Sequence, residues 1–154
     1  EQGRPFLGTC GGFQHAVLEY SRNVLGWADA EHGETSPESE RAVLTPLSCS
    51  LVEAIDVIHL QPGSLIAKAY EKSEIEEGYR CRYGVNPQFE QHLMSDQLQA
   101  VGRDSAGDLR AIELKKHPFF VATLFQPERA ALKNKTPPLV RAFVKACVNS
   151  TVPG

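Results

Sequence analysis

The hydrophobic residues of this chain follow two kinds of pattern, short apolar runs and repeats in steps of three and four, which predict strands that alternate with helices. The apolar run PFLGT at residues 5–9 is typical of a buried strand. Directly after it, apolar residues recur in steps of three and four from Phe13 to Leu25, giving one face of a helix that ends near Gly26. Residues 27–41 are polar and acidic, and they predict a long surface loop.

The rest of the chain continues the alternation. Ser64 suits the start of a helix because its hydroxyl can accept a backbone N–H, and Pro87 suits the first turn of the next helix. The turn signal at residues 104–108 predicts a hairpin. The pattern favours an α/β sheet with helices on its faces. Strands are predicted at residues 54–60, 79–85, 98–103, 109–114 and 119–125, and helices at residues 64–70, 87–94 and 139–148.

Composition limits the class of protein. The 154 residues suffice for one domain with a single core, and 42% hydrophobic with 23% charged residues is typical of a soluble globular protein. The 16 basic and 19 acidic residues are mixed along the chain, so nucleic acid is not an expected partner. No apolar run reaches the length that a bilayer requires. We therefore expect a cytoplasmic protein without a membrane partner.

The four cysteines are Cys10, Cys49, Cys81 and Cys147. They lie far apart in sequence and form none of the close pairs that zinc sites and redox motifs require. Two disulfides could form in principle, but nothing else in the sequence suggests secretion. We expect neither a bound metal nor a cofactor.

The stretch GTCGG places Cys10 between Gly8 and Gly12, where the first strand gives way to the first helix. This pattern resembles a nucleophile elbow, a turn so sharp that only small neighbours avoid a clash. A thiol at a helix N-terminus is stabilised as the thiolate, and the nearby N–H groups could stabilise an oxyanion. The alternative is a small buried cysteine at a glycine-rich turn. Spacing alone leaves both interpretations open.

Three separated segments carry a family resemblance: PFLGTCGGFQHAVLEYSRNV, RYGVN and HPFFVATLFQPE. In this order they resemble the class I glutamine amidotransferases, and in particular the glutaminase domain of CTP synthase and the stand-alone bacterial proteins related to its C-terminal region. The resemblance runs over residues 5–147. It implies a flavodoxin-like fold with a mostly parallel central sheet and helices on both faces, glutamine or a related amino acid as ligand, and a link to pyrimidine metabolism.

The same resemblance implies roles for particular residues. Cys10 matches the family nucleophile, and Gly11 would lend its backbone N–H to the oxyanion hole. Gln14 would contact the substrate, Glu34 would receive the substrate ammonium, and Arg82 would bind the substrate carboxylate. A guanidinium and a carboxylate together suit a free amino acid, which carries one charge of each sign. Without the resemblance, Glu34 and Arg82 would be interpreted as solvated surface charges.

One departure from the family affects the catalytic machinery. Where the family has Phe-His-Pro-Glu, this chain has FQPE, with Gln126 in place of the histidine and Glu128 at the glutamate. The family's imidazole moves the proton in the reaction, whereas an amide cannot carry one at neutral pH. Weak or altered glutamine hydrolysis is therefore expected. The candidates for a substitute base are His15, His32 and His117.

Further departures concern domain organisation and partners. Residues 41–60 lack the Met-Arg-Leu-Gly segment of CTP synthases, and no GxxxxGK[ST] phosphate loop occurs. We therefore expect no CTP synthesis by this chain itself, and a synthetase or other protein as partner. In the family, the strand before the elbow lies in the middle of the sheet. The resemblance thus implies that the N-terminal strands are absent, and that residues 1–154 are the C-terminal part of a longer domain.

Three functions from different classes remain open. The favoured one is an amidotransferase-like enzyme that attacks glutamine through Cys10. The second is a pseudoenzyme that binds an amino acid or a partner protein through Glu34 and Arg82. The third is a cysteine-based sensor or hydrolase, with Cys81 beside Arg80 and Arg82 as a second thiol.

Overall fold

The computed structural model describes residues 3–151, and within them all side chains except those of residues 48–54 and 151. The strands are, in chain order, β1 (Phe6–Thr9), β2 (Glu31–His32), β3 (Ala42–Leu60), β4 (Glu74–Val85), β5 (Leu98–Asp104), β6 (Leu109–Leu114) and β7 (Phe120–Thr123). The helices are α1 (Gly11–Asn23), α2 (Leu65–Tyr70), α3 (Pro87–Leu93) and α4 (Pro138–Thr151), with a 3₁₀ helix at Pro127–Lys133.

The described strands form one sheet in the order β1–β7–β6–β5–β3–β2, and β4 pairs with β3 off this path. The predicted α/β class is confirmed. The sheet is mixed: the pairs β1–β7 and β2–β3 are parallel, while β3–β4, β3–β5, β5–β6 and β6–β7 are antiparallel. Within the described residues, parallel strands are therefore fewer than predicted. The reason lies in the connections, since strands joined by a tight turn, as β5 and β6 are, must run antiparallel.

Two strands extend beyond their predictions. Both β3 and β4 begin well before residues 54 and 79, where the sequence places their starts. The early part of β3 contains Thr45 and Pro46, which break the apolar alternation. It is a strand because it pairs with β4, Thr45 opposite Gly84, across a register irregularity between Pro46 and Leu51. Pairing with a distant strand overrides local propensity there.

The predicted helices are all present, because their start signals are local. The Ser64 side chain accepts a hydrogen bond from the Ala67 N–H and begins α2. Asn86 does the same for the Gln88 N–H at the start of α3, with Pro87 in the first turn. None of the helices in residues 3–151 is long and apolar enough to cross a membrane.

The hydrophobic core joins α1 to the sheet. Phe13 and Val17 of α1 are fully buried, as are Tyr79 of β4 and Phe125 beyond β7. The Tyr79 and Phe125 rings meet edge to face, with their centroids 6.2 Å apart. Because α1 packs against β1, β3 and β7, the core fixes the position of the turn that leads from β1 into the helix.

A buried ion pair holds the β5–β6 hairpin. Arg110 Nη2 lies 3.0 Å from Asp104 Oδ2, and both side chains are more than nine-tenths buried. The other carboxylate oxygen of Asp104 accepts the backbone N–H groups of Ala106 and Asp108, at 3.0 and 2.9 Å. The carboxylate thus binds both the turn and the next strand.

We predict that Arg110→Met lowers the free energy of unfolding by about 3–5 kcal/mol, because it leaves the Asp104 carboxylate buried without its cation. Chemical denaturation measures this loss. Arg103→Met is the matched control, since the Arg103–Glu90 ion pair is partly exposed and its loss should cost about 0–1 kcal/mol. Equal losses in the two variants would contradict the assignment.

Candidate active site

Cys10 occupies the turn between β1 and α1 in a conformation that few residues adopt. Its φ is 49° and its ψ is −103°, and it is the N-cap of α1. The Cys10 N–H donates to the carbonyl oxygen of Thr123 at the end of β7, at 2.9 Å. A Cβ on Gly8 would lie 2.9 Å from the Gly12 backbone, so the close approach of strand and helix requires glycine there. The sequence prediction of a sharp strand-to-helix turn is met.

Gln126 and Glu128 lie at the same edge of the sheet as Cys10. Strands β1 and β7 are parallel with Thr9 opposite Thr123, so the residues that follow each strand meet at their carboxyl ends, where open α/β sheets bind ligands. The Gln126 N–H donates to the Gly78 carbonyl oxygen at 3.0 Å. Thr9 Oγ1 donates to Glu128 Oε1 at 3.0 Å. The Glu128 carboxylate therefore has a partner that the sequence analysis missed.

A second cysteine contacts Cys10. The sulfur atoms of Cys10 and Cys81 are bonded to each other, and the two Cα atoms lie 6.2 Å apart. Cys81 is 2% exposed and its sulfur lies 3.2 Å from the Leu124 carbonyl oxygen. The wide spacing of the cysteines in the sequence gives no sign of this contact, although Cys81 is the second thiol of the third predicted function. The two residues are 71 positions apart in the sequence, and only the folding of β4 next to the turn brings them together.

Gln14 is held by a buried polar cluster, which we define as Gln14, His32 and Tyr83. Gln14 Nε2 donates to the Tyr83 carbonyl oxygen at 3.2 Å, and Gln14 Oε1 accepts from His32 Nε2 at 2.9 Å. The Glu34 N–H donates to His32 Nδ1 at 3.1 Å. Since Nδ1 is an acceptor, Nε2 carries the ring hydrogen. His32 thus links Gln14 on α1 to the backbone of Glu34.

The environment of His32 favours its neutral form. The ring is buried and lies against Tyr83, with centroids 5.3 Å apart. Burial lowers the pKa of His32, the nearby Glu34 carboxylate opposes that shift, and His15 adds to it. The predicted surface loop is therefore wrong at this point, because its residues 31–32 form β2 and bury an imidazole. Both ring nitrogens already have partners, which disfavours His32 as the substitute base.

The other two histidines differ in position. His117 precedes β7, at the end of the sheet away from Cys10, and its Nδ1 accepts the Phe119 N–H at 3.1 Å. His15 is exposed on α1, and its ring centroid lies 6.4 Å from that of His32. Among the described side chains, neither ring forms a hydrogen bond with Cys10.

Glu34 and Arg82, the predicted contacts of a substrate amino acid, are both exposed. Glu34 adjoins the polar cluster through its backbone N–H, and Arg82 lies in β4 between Cys81 and Tyr83. Buried and exposed residues alternate along this part of β4, so Arg82 faces away from the side of Cys81. Their roles stay predictions.

An acidic pair next to the sheet edge gave no signal in the sequence. Tyr70 Oη donates to Glu77 Oε1 at 2.7 Å. Burial raises the pKa of Glu77, the hydrogen bond from Tyr70 opposes this, and the Glu128 charge raises it further. Glu77 and Glu128 are therefore close enough to repel each other. Among the side chains that the structure describes, no group of three or more His, Cys, Asp or Glu could hold a metal ion.

Known proteins that are similar to this chain in sequence are CTP synthases. The CTP synthase of Helicobacter pylori (strain ATCC 700392 / 26695) is 32% identical over 166 residues, covering 96% of this chain and 31% of the relative. That of Pelotomaculum thermopropionicum is 38% identical over 156 residues, covering 95% of this chain and 29% of the relative. The chain thus spans about three-tenths of the length of these relatives. No protein-family model matches it.

Two solved structures have a fold similar to that of this chain. The glutaminase domain of Trypanosoma brucei CTPS, determined with bound acivicin, matches with a TM-score of 0.86 and 28% identity over 94% of this chain and 60% of that domain. A protein of Thermoplasma acidophilum described as a GMP synthase component matches with a TM-score of 0.64 and 15% identity over 95% of this chain and 58% of that one, which shows the fold alone. The chain has the fold and the sequence similarity of a class I glutamine amidotransferase domain. Within that class, it is similar to the glutaminase domain of CTP synthase.

The neutral state of His32 has a consequence for stability. Because the folded pKa lies below the unfolded value of about 6.5, the unfolded chain binds more protons between these two values, and stability falls as the pH falls through that window. We predict that unfolding free energy decreases more between pH 7.5 and 5.5 for the parent than for His32→Gln. Denaturation at both pH values measures this, and His92→Gln, at an exposed position of α3, is the control. An equal loss in all three proteins would contradict the prediction.

Proposed function

We propose that this domain removes the side-chain amide nitrogen of glutamine, or of a related amino acid, through a covalent intermediate on Cys10, with slow turnover. The observation that carries the proposal is the backbone at Cys10, with its positive φ at the junction of β1 and α1. Strained positions of this kind are tolerated where they serve a function, and here the turn directs the side chain toward the carboxyl edge of the sheet.

The proposed reaction follows from the groups around the turn. The Cys10 sulfur, as a thiolate, attacks the carbonyl carbon of the substrate amide. The developing oxyanion is stabilised by the Gly11 N–H, one of the helix N–H groups that lack an intrahelical acceptor. The C–N bond breaks as the leaving nitrogen takes a proton from a water molecule and departs as ammonia. Water then attacks the thioester carbonyl, the C–S bond breaks, and glutamate and free Cys10 are released.

The slow turnover follows from Gln126. The step that expels ammonia needs a proton donor, and the thioester needs a base to activate water, but an amide supplies neither. Glu128 accepts a hydrogen bond from Thr9, so its carboxylate is held by a hydroxyl. Attack by Cys10 is less affected, since a thiol at a helix N-terminus is partly ionised at neutral pH.

Substrate recognition rests on the predicted residues around the polar cluster. Glu34 would bind the substrate ammonium. The resemblance assigns the substrate carboxylate to Arg82, but Arg82 faces away from the side of Cys81, which weighs against that role. Gln14 has one N–H of its amide left after its bonds to Tyr83 and His32, and this group is available to a substrate.

An ammonia acceptor would have to come from a synthetase or another protein partner. The cytoplasm, where thiols are kept reduced, is the compartment in which Cys10 would stay active.

Gln126 also favours a second candidate, a pseudoenzyme that binds an amino acid without turning it over. In that case the polar cluster, Glu34 and Arg82 would serve recognition only.

We predict slow glutamate release from glutamine by the parent protein in the presence of a reductant, and none by Cys10→Ser. Gln126→His should raise the rate by roughly 10²–10⁴-fold, the usual contribution of a placed general acid–base group. A coupled glutamate assay measures these rates. Gln99→His, at an exposed position of β5, controls for an added histidine.

The outcomes separate the two candidates. Release by Gln126→His alone would indicate the pseudoenzyme with an intact binding site. Full release by Cys10→Ser would exclude Cys10 as nucleophile. No release by any variant, together with no glutamine binding by calorimetry, would overturn both candidates.

A further inference from the structure

Cys10 and Cys81 lie at positions where a disulfide bond between them can form and be reduced again. Their Cα atoms are 6.2 Å apart, within the range that a disulfide spans without backbone movement. Each is fixed by a rigid element, Cys10 by the turn that Thr123 holds and Cys81 by β4. The pair therefore meets in the folded protein whichever oxidation state it has.

The two sulfurs differ in their access to solvent. Cys10 is partly exposed at the N-terminus of a 13-residue helix, α1, where the helix N–H groups favour the thiolate that reacts with oxidants. Cys81 is 2% exposed, so an oxidant in solution reaches it poorly. This asymmetry fits an attacking cysteine on the surface and a resolving cysteine beneath it.

We propose that Cys10 and Cys81 form a reversible redox switch. Hydroperoxides close it by forming the Cys10–Cys81 disulfide, and dithiols open it by reducing that disulfide. The Cys10 thiolate attacks the O–O bond of a hydroperoxide, so that an S–O bond forms, the O–O bond breaks, and an alcohol or water leaves. The Cys81 sulfur then attacks the Cys10 sulfur, forming the S–S bond and releasing the second oxygen as water. The two thiols lose two electrons and the peroxide gains two.

The switch has two consequences. The disulfide occupies the Cys10 sulfur, so a closed switch prevents any acyl transfer at Cys10. It also protects Cys10, because a sulfenic acid that is not resolved proceeds to the sulfinic acid, which dithiols do not reduce. The proposal concerns the thiol pair itself and goes beyond the proposed glutamine hydrolysis, which needs only the open state.

The test uses the full chain with Cys49→Ser and Cys147→Ser, which leaves the two thiols of interest. The reduced protein is treated with hydrogen peroxide, alkylated with iodoacetamide and weighed by intact mass spectrometry. We expect both alkylation sites to be lost, one Cys10–Cys81 crosslinked peptide after digestion, and full recovery of both sites with dithiothreitol. In Cys81→Ala, and equally in Cys81→Ser, excess peroxide oxidises the unresolved sulfenic acid of Cys10 to the sulfinic acid, so we expect Cys10 alkylation to be lost and not recovered by dithiothreitol.

Absence of the crosslinked peptide, or equal recovery of Cys10 with and without Cys81, would overturn the switch. The readout is alkylation, so it does not depend on glutamine hydrolysis. A pair that closes and reopens in a protein that never releases glutamate would support the switch and contradict the proposed function. Glutamate release by a protein that forms no crosslink would do the reverse.

Discussion

The hydrogen bond from the Cys10 N–H to the Thr123 carbonyl oxygen is the contact on which the rest of the site depends. It ties the turn after β1 to the end of the parallel strand β7 while the backbone at Cys10 keeps a positive φ. Gly8 makes the turn sterically feasible, since a side chain there would clash with the backbone of Gly12. The packing of α1 on the sheet supplies the stabilisation that offsets the strain of the turn.

Four segments that are distant in sequence converge around this turn. Helix α1 contributes Gln14, β2 contributes His32, β4 contributes Cys81 and Tyr83, and the segment after β7 contributes Glu128, which accepts a hydrogen bond from Thr9. The buried groups among them have partners: Gln14 bonds to both His32 and Tyr83. Satisfied polar groups of this kind rigidify a site, because an unpaired one in the same place would be costly.

The chain shares its fold with the glutaminase domain of Trypanosoma brucei CTPS. The fold shows the class, but activity depends on individual side chains. At the sheet edge, an amide stands where the resemblance expects an imidazole, and Glu128 bonds to Thr9. Beside them, Cys10 meets a second sulfur. A cysteine at a helix N-terminus with a second sulfur beside it has redox chemistry available to it.

The sequence by itself determined what depends on neighbouring residues: the helices with their caps at Ser64 and Asn86, the turn at Cys10, and the amidotransferase class through its three segments. These signals act over a few residues, so they can be recognised before folding. Only the tertiary structure decided the mixed pairing of the sheet, the length of β3, the burial of His32 and the meeting of Cys10 with Cys81. Each of these depends on contacts between residues far apart in the chain, and no local pattern encodes which distant partner a strand or side chain will meet.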